Sequence, residues 1–254
     1  MPERPIAEAP GMLRADWPAP PGVWAVTTLR SGGVSHTPFN SLNLGDHVTD
    51  DPVAVRANRA HLRAHLALPA EPRWLTQVHG TQVLDATVAN AGAQADGSYT
   101  RRTGVVCAVL TADCLPVFLC DRAATRVAVV HAGWRGLAAG VIERGLAAMG
   151  ASPREVLAWL GPAIGPEAFE VGDEVRQVFV DQHSEASNAF RANAAGRFFA
   201  DLYALARLRL AAAGVESVHG GGYCTYREDA RFFSYRRDGV TGRMASLIWL
   251  QPQV

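Results

Sequence analysis

The chain has 254 residues, with 24 basic and 24 acidic side chains in balance, and every basic side chain is arginine. The absence of lysine excludes a Schiff-base lysine, a Walker-type phosphate loop and a lysine general base, each of which needs an amine or ammonium. Balanced charge gives no footprint for nucleic acid and none for a membrane surface.

Residues 1–20 are rich in Pro, Ala and charge, lack the apolar segment of a secretory signal, and are expected to form an extended arm. Val23–Thr28 is a predicted strand, broken by Ser31-Gly32-Gly33. Asp51–Leu66 predicts a helix, with Pro52 in its first turn and Val55, Leu62 and Leu66 on one face. Trp74–Val78 and Thr81–Ala86 are expected as strands around His79-Gly80. The apolar runs 104–110, 115–120 and 126–130 predict three buried strands, followed by a helix over 137–149 that Gly150 stops. A strand over 156–160, helices over 172–180 and 199–213, and strands over 215–219, 232–235 and 245–250 complete the chain. Strands outnumber helices and do not alternate strictly with them, so one α+β domain with mixed sheets is expected over 1–254. No apolar run is long enough to span a bilayer. Cys107, Cys114, Cys120 and Cys224 lack disulfide-framework spacing, which points to a reduced, cytoplasmic setting.

Three positions that follow predicted strands carry metal-capable side chains: His79 in Gln77-Val78-His79-Gly80, Cys114 in Ala112-Asp113-Cys114, and His131 in His131-Ala132-Gly133-Trp134-Arg135-Gly136. Two His and one Cys suit a tetrahedral zinc shell with one position open, the pattern of a catalytic site. The alternative is a buried Cys and two hydrogen-bonded loop histidines. The segment His131–Gly136 joins a strand to a helix through two glycines, so the first turn's N–H groups and Arg135 can meet an anion; equally, the glycines can serve only a tight turn. His61 and His65 lack the HExxH pattern and are expected on a solvated helix face. Cys107 and Cys120 are expected in the core, whereas Gly220-Gly221-Gly222 before Cys224 allows a ligand to approach the backbone there.

The ordered set Arg30–Leu44, Asp50–Arg59, Gln77–Gly80, Thr111–Cys114, His131–Gly136, Gly161–Gly165 and Phe232–Arg237 resembles the YfiH-type family, labelled polyphenol oxidase or laccase-domain proteins and also described as zinc-dependent purine nucleoside phosphorylases. The resemblance runs from about Trp17 to Leu250, and one departure is Thr28-Leu29-Arg30, where the family commonly has Thr-Arg. It implies an α/β/β/α sandwich, zinc held by His79, Cys114 and His131, and a cytoplasmic enzyme. The implied activities are phosphorolysis of adenosine, inosine, guanosine and S-methyl-5′-thioadenosine, and deamination of adenosine. Asn43, Arg59 and Gln77 lie in motifs around the implied pocket, and Cys224 is a further substrate-binding candidate. Arg59 and Arg135 are the expected phosphate ligands, and Asp113 the residue expected to move a proton or orient a ligating histidine.

The older label would instead make the shell a copper site, but eight histidines without any His-X-His pair do not supply a multicopper cluster. A cysteine hydrolase using Cys114 and His131, and a nucleoside-binding module without catalysis, are the other readings. The partners expected are purine nucleosides and phosphate, with no nucleic acid or membrane, and the chain is read as a monomer.

Overall fold

A computed structural model describes residues 11–252. In chain order it contains β1 (Met12–Arg14), β2 (Val23–Thr28), α1 (Pro52–His65), β3 (Val83–Asp85), β4 (Gly97–Thr100), β5 (Val106–Thr111), β6 (Leu115–Asp121) and β7 (Val127–Ala132). Then come α2 (Trp134–Ala139), α3 (Val141–Met149), β8 (Val156–Leu160), β9 (Glu170–Val171), α4 (Asp173–Val180), β10 (Phe190–Ala192) and β11 (Phe198–Ala200). The last elements are α5 (Leu202–Ala212), β12 (Ser217–Gly220), α6 (Tyr235–Asp238) and β13 (Met244–Leu250).

Two sheets stack between two layers of helix. One is antiparallel, in the order β1-β2-β13-β5; the other is mixed, in the order β12-β8-β6-β7-β4-β3. Alternation along the strands explains why both sheets are apolar on both faces. From β5, Cys107 and Val109 meet Phe118 and Cys120 of β6 and Val127 and Val129 of β7 in the core between the sheets. Their neighbours Ala108 and Leu110 turn outward onto Leu62 and Leu66 at the α1 layer. On the mixed sheet, Val117, Leu119, Ala128 and Val130 turn the other way and pack under α2, α3 and α5. The resulting α/β/β/α order is the one expected. A small sheet, β10-β11-β9, lies beside it.

Local signals set the helix starts. The Asp51 carboxylate accepts from Val53 N at 2.8 Å with Pro52 in the first turn, and Asp201 caps α5 by accepting from Ala204 N at 3.0 Å.

Several boundaries differ from the sequence expectation. The helix expected over 137–149 is two helices, because Gly140 adopts φ +94° between them. The N-terminal end of the helix expected over 199–213 belongs instead to β11. Trp74–Val78 makes only one isolated bridge, Thr76 with Gln94, and Arg73 just before it makes another with Cys107. Phe232–Ser234 is not a strand either, since Phe232 and Phe233 are wholly buried and lead into α6, which Ser234 caps. The short strands β1, β4, β9 and β10 carry too little pattern to be anticipated. The expected N-terminal arm begins outside the described residues and includes β1 within them.

Candidate metal centre

The segment Ala112-Asp113-Cys114 crosses from β5 of the antiparallel sheet to β6 of the mixed sheet. Its neighbours at that end are fixed by register: Met244 pairs with Thr111, and Leu115 and Pro116 face Ala132 and His131. His131 therefore sits beside the seam where Cys114 emerges, and residue 243 enters β13 at the same end.

The sequence separation of the three candidate ligands is closed here. One donor atom from each of His79, Cys114 and His131 lies within 4.8 Å of the others. Cys114 Sγ is 3.9 Å from His79 Nε2, and the two imidazole centroids are 4.9 Å apart.

Asp96, wholly buried just before β4, holds this arrangement. Its carboxylate accepts the backbone N–H groups of Val78, His79 and Gly80 at 3.2, 2.9 and 2.6 Å. The same carboxylate lies 2.9 Å from His131 Nδ1, while His131 N donates to the Asp96 carbonyl at 2.7 Å. One carboxylate thus fixes a loop and orients a ring, leaving Nε2 as the free nitrogen of His131. His79 adopts φ +58° and Asp113 φ +91°, so two non-glycine residues beside the site occupy the left-handed region.

Glycine is required where helix α2 approaches. A Cβ at Gly133 would stand 3.0 Å from both Cys114 Sγ and His79 Cδ2, and one at Gly136 would stand 2.9 Å from the Gly80 carbonyl. Both glycines in the His131–Gly136 motif admit the ligand loops at close range, and α2 begins at Trp134, before Gly136.

Electrostatics favour a thiolate. Burial opposes ionisation of Cys114, but the His131 charge and contacts with both imidazoles outweigh it and bring the thiol down to about 6. Burial likewise opposes protonation of His131, which the Cys114 charge and the Asp96 hydrogen bond raise to about 9. Burial would raise Asp96, yet its bonds to His131 and to the Gly80 N–H keep it below the usual carboxylate range. A thiolate with two imidazoles, one of them backed by a carboxylate, is a donor set that fits a single zinc or copper ion.

The donors open into a cleft of about 540 Å³ whose other walls include Asp46, His47, Gln77, Tyr235 and Arg243. Gln77 reaches this wall, but its amide is engaged with the Leu110 backbone in both directions, at 2.8 and 2.7 Å. Asp113 is turned away from His131: its carboxylate accepts from Thr225 Oγ1 and Arg236 N, each at 2.6 Å. The orienting carboxylate is Asp96, and Asp113 anchors the crossover instead. Asn43 is buried outside the cleft, accepting from Gly45 N and Arg243 N, each at 2.9 Å.

Arg59 is spent on other partners. It donates to the Leu44 carbonyl, pairs with Asp46 at 3.2 Å and lies over the Trp74 ring at 4.3 Å. Arg135 is exposed on α2, stacked 4.4 Å from the Trp134 ring centroid, and does not line the cleft. Cys224 lines a separate pocket with Gly221 and Gly222, where its Sγ accepts from Gly165 N at 3.3 Å. Asp96, His47 and Arg243 escaped the sequence reading.

The sequence pattern of a family described as multi-copper polyphenol oxidoreductase laccase matches residues 24–251. The chain belongs to this family. A Pseudomonas aeruginosa member named purine nucleoside phosphorylase is 57% identical over 240 residues, covering 94% of this chain and 98% of that protein. The Escherichia coli member, purine nucleoside phosphorylase YfiH, is 55% identical with the same coverage. Among solved structures, a Neisseria meningitidis protein at 53% identity superposes with a TM-score of 0.92 over 95% of this chain and 100% of its own. YlmD from Geobacillus stearothermophilus, 34% identical, gives 0.89 over 96% of this chain and 98% of its own. The family's oxidase description and its members' phosphorylase names point to different chemistry. Among the described residues, His79, Cys114 and His131 form the only cluster of three or more His, Cys, Asp or Glu placed to hold a metal. That supplies one ion, not a multicopper cluster.

Proposed function

We propose that this chain is a zinc-dependent purine nucleoside phosphorylase acting on adenosine, inosine, guanosine and S-methyl-5′-thioadenosine, and that it also deaminates adenosine to inosine. The observation that carries this reading is the convergence of His79, Cys114 and His131 at the floor of a nucleoside-sized cleft. The names of relatives at 55–57% identity support it. His79, Cys114 and His131 would hold the zinc, with Asp96 setting the tautomer of His131. Zinc bound there would supply Lewis-acid polarisation of the purine and acidify water for deamination.

The protein's own part in phosphorolysis is to position two reactants and exclude a third. A phosphate oxygen bonds to the anomeric carbon as the bond from that carbon to the purine nitrogen breaks, and its electron pair leaves with the base. Water entering in place of phosphate would give free ribose, so the cleft must bind phosphate in line with the sugar. Gln77 stiffens the wall by clasping β5, and Asp113 ties the Cys114 crossover to the loop at Thr225 and to the first turn of α6 at Arg236. A cytoplasmic, monomeric enzyme is part of the proposal. Four free cysteines support the reducing compartment, and no helix among the described residues is long and apolar enough to cross a membrane.

The test is incubation of the zinc-loaded protein with adenosine or inosine, with and without phosphate, followed by product identification. Phosphate-dependent adenine and hypoxanthine, with phosphate-independent inosine from adenosine, are expected. No product under any condition overturns the reading. The family's oxidase description motivates one further arm. Phenol oxidation by copper-free, zinc-loaded protein would favour an oxidase instead, and activity that survives chelation would favour a Cys114 hydrolase.

A further inference from the structure

We propose that Arg243 is the phosphate-binding group of the cleft. The inference rests on the phosphorolysis reading for its ligand, and on the following geometry for its place.

A phosphate dianion in a buried cleft needs cationic or N–H donors. The sequence has no lysine, so the cation must be arginine or the metal. Of the two arginines first expected, Arg135 points off the cleft and Arg59 is committed to Leu44, Asp46 and Trp74. Arg243 is the one arginine among the described residues lining the cleft with the three ligands. Its Nη1 donates to the carbonyls of Thr241 and Gly242 at 2.9 and 3.0 Å. Among the described residues, Nε and Nη2 have no hydrogen-bond partner. A guanidinium carries five N–H bonds, so three remain, two of them (Nε–H and one Nη2–H) along the edge that matches two phosphate oxygens.

The surroundings hold that edge in place. Asn43 Oδ1 accepts from Arg243 N, and Leu44 N donates to the Arg243 carbonyl at 3.2 Å. The stem lies directly on Gly45, where an added Cβ would stand 2.7 Å from Arg243 Cγ and 3.3 Å from His47 Cε1. Asn43, buried and remote from substrate, thereby becomes a positioning residue for Arg243. The ring of Tyr235 lies 6.0 Å from the guanidinium carbon on the same wall. Asp46, a carboxylate on the cleft wall, is paired with Arg59, which limits its repulsion of an anion. Burial lowers the Arg243 pKa from its ordinary value, while the negative charges of Cys114 and Asp113 oppose that shift. A bound phosphate would add further compensation for burial.

Inorganic phosphate is the probe, titrated into the zinc-loaded full chain and followed by 31P line broadening, with steady-state kinetics on inosine alongside. Arg243→Ala is expected to abolish phosphate broadening and raise the phosphate KM at least tenfold, with a smaller change in the inosine KM. Arg243→Lys should recover part of the phosphate KM, and Gly45→Ala should mimic Arg243→Ala more weakly. A thermal melt of each variant separates these effects from unfolding. Equal phosphate binding by wild type and Arg243→Ala overturns the inference, as does no binding by wild type with nucleoside present. Binding that depends on Arg243 without any cleavage of inosine would uphold the site and sink the phosphorylase reading.

Discussion

The two walls of the cleft are built on opposite rules. On the metal side, His131 is buried, Asp96 is wholly buried, and each polar contact of the Asp96 carboxylate serves to fix a ligand. On the facing side, His47, Tyr235 and Arg243 stand partly or largely open, and Arg243 keeps one edge of its guanidinium unbonded. A metal shell needs donors locked to within fractions of an ångström, whereas a substrate wall needs donors left available. The first therefore spends its hydrogen bonds internally, and the second withholds them.

The largest effect should come from breaking the hub of the locked wall. Asp96→Asn keeps the side-chain shape but replaces one carboxylate acceptor by a donor facing three N–H groups or His131. Zinc affinity should fall about 10–100-fold, measured by competition with a chromophoric chelator. Unchanged affinity would show that the ligands hold their geometry without Asp96. Next comes Gly133→Ala, whose Cβ must displace Cys114 Sγ or His79 Cδ2 from 3.0 Å. Weaker zinc binding is expected there with a smaller loss, while phosphate binding by the facing wall stays intact; equal losses at both sites would erase the distinction between the walls.

Smaller effects should mark the residues that stand behind the open wall. Arg59→Ala removes the bonds to Leu44 and the pair with Asp46, and should cost about 1–2 kcal/mol in a denaturant melt. Its phosphate KM should shift less than that of Arg243→Ala, and the reverse ranking would return the phosphate to Arg59. Arg135→Ala should change neither constant.

The smallest expected signal is none at all. Burial pushes the thiols of Cys107 and Cys120 up to about 12, and only a thiolate reacts with iodoacetamide. At pH 8 in the folded protein both should stay unlabelled by mass spectrometry, while Cys114 becomes labelled once chelator removes metal. Above about pH 8.5 unfolded thiols ionise while these two remain protonated when folded, so stability should decline as pH rises toward 12. Labelling of Cys107 at pH 8 in folded protein would contradict its place between the sheets.

The amino-acid sequence by itself determined the long strands, because Val106–Thr111, Leu115–Asp121 and Val127–Ala132 are too apolar to lie anywhere but between layers. It also presented His79, Cys114 and His131 as metal-capable residues and, through ordered motifs, the family. The short strands and Phe232–Ser234 were hidden, since three or four residues carry no readable period. What joined the ligands was tertiary: the crossover at Cys114, the register opposite His131 and the reach of Asp96 from the start of β4. Asp96 and Arg243 look ordinary in the chain. Their roles follow from which partners folding brings within hydrogen-bond reach and which N–H groups it leaves free, and a hydrogen bond depends on distance and direction that no local pattern records.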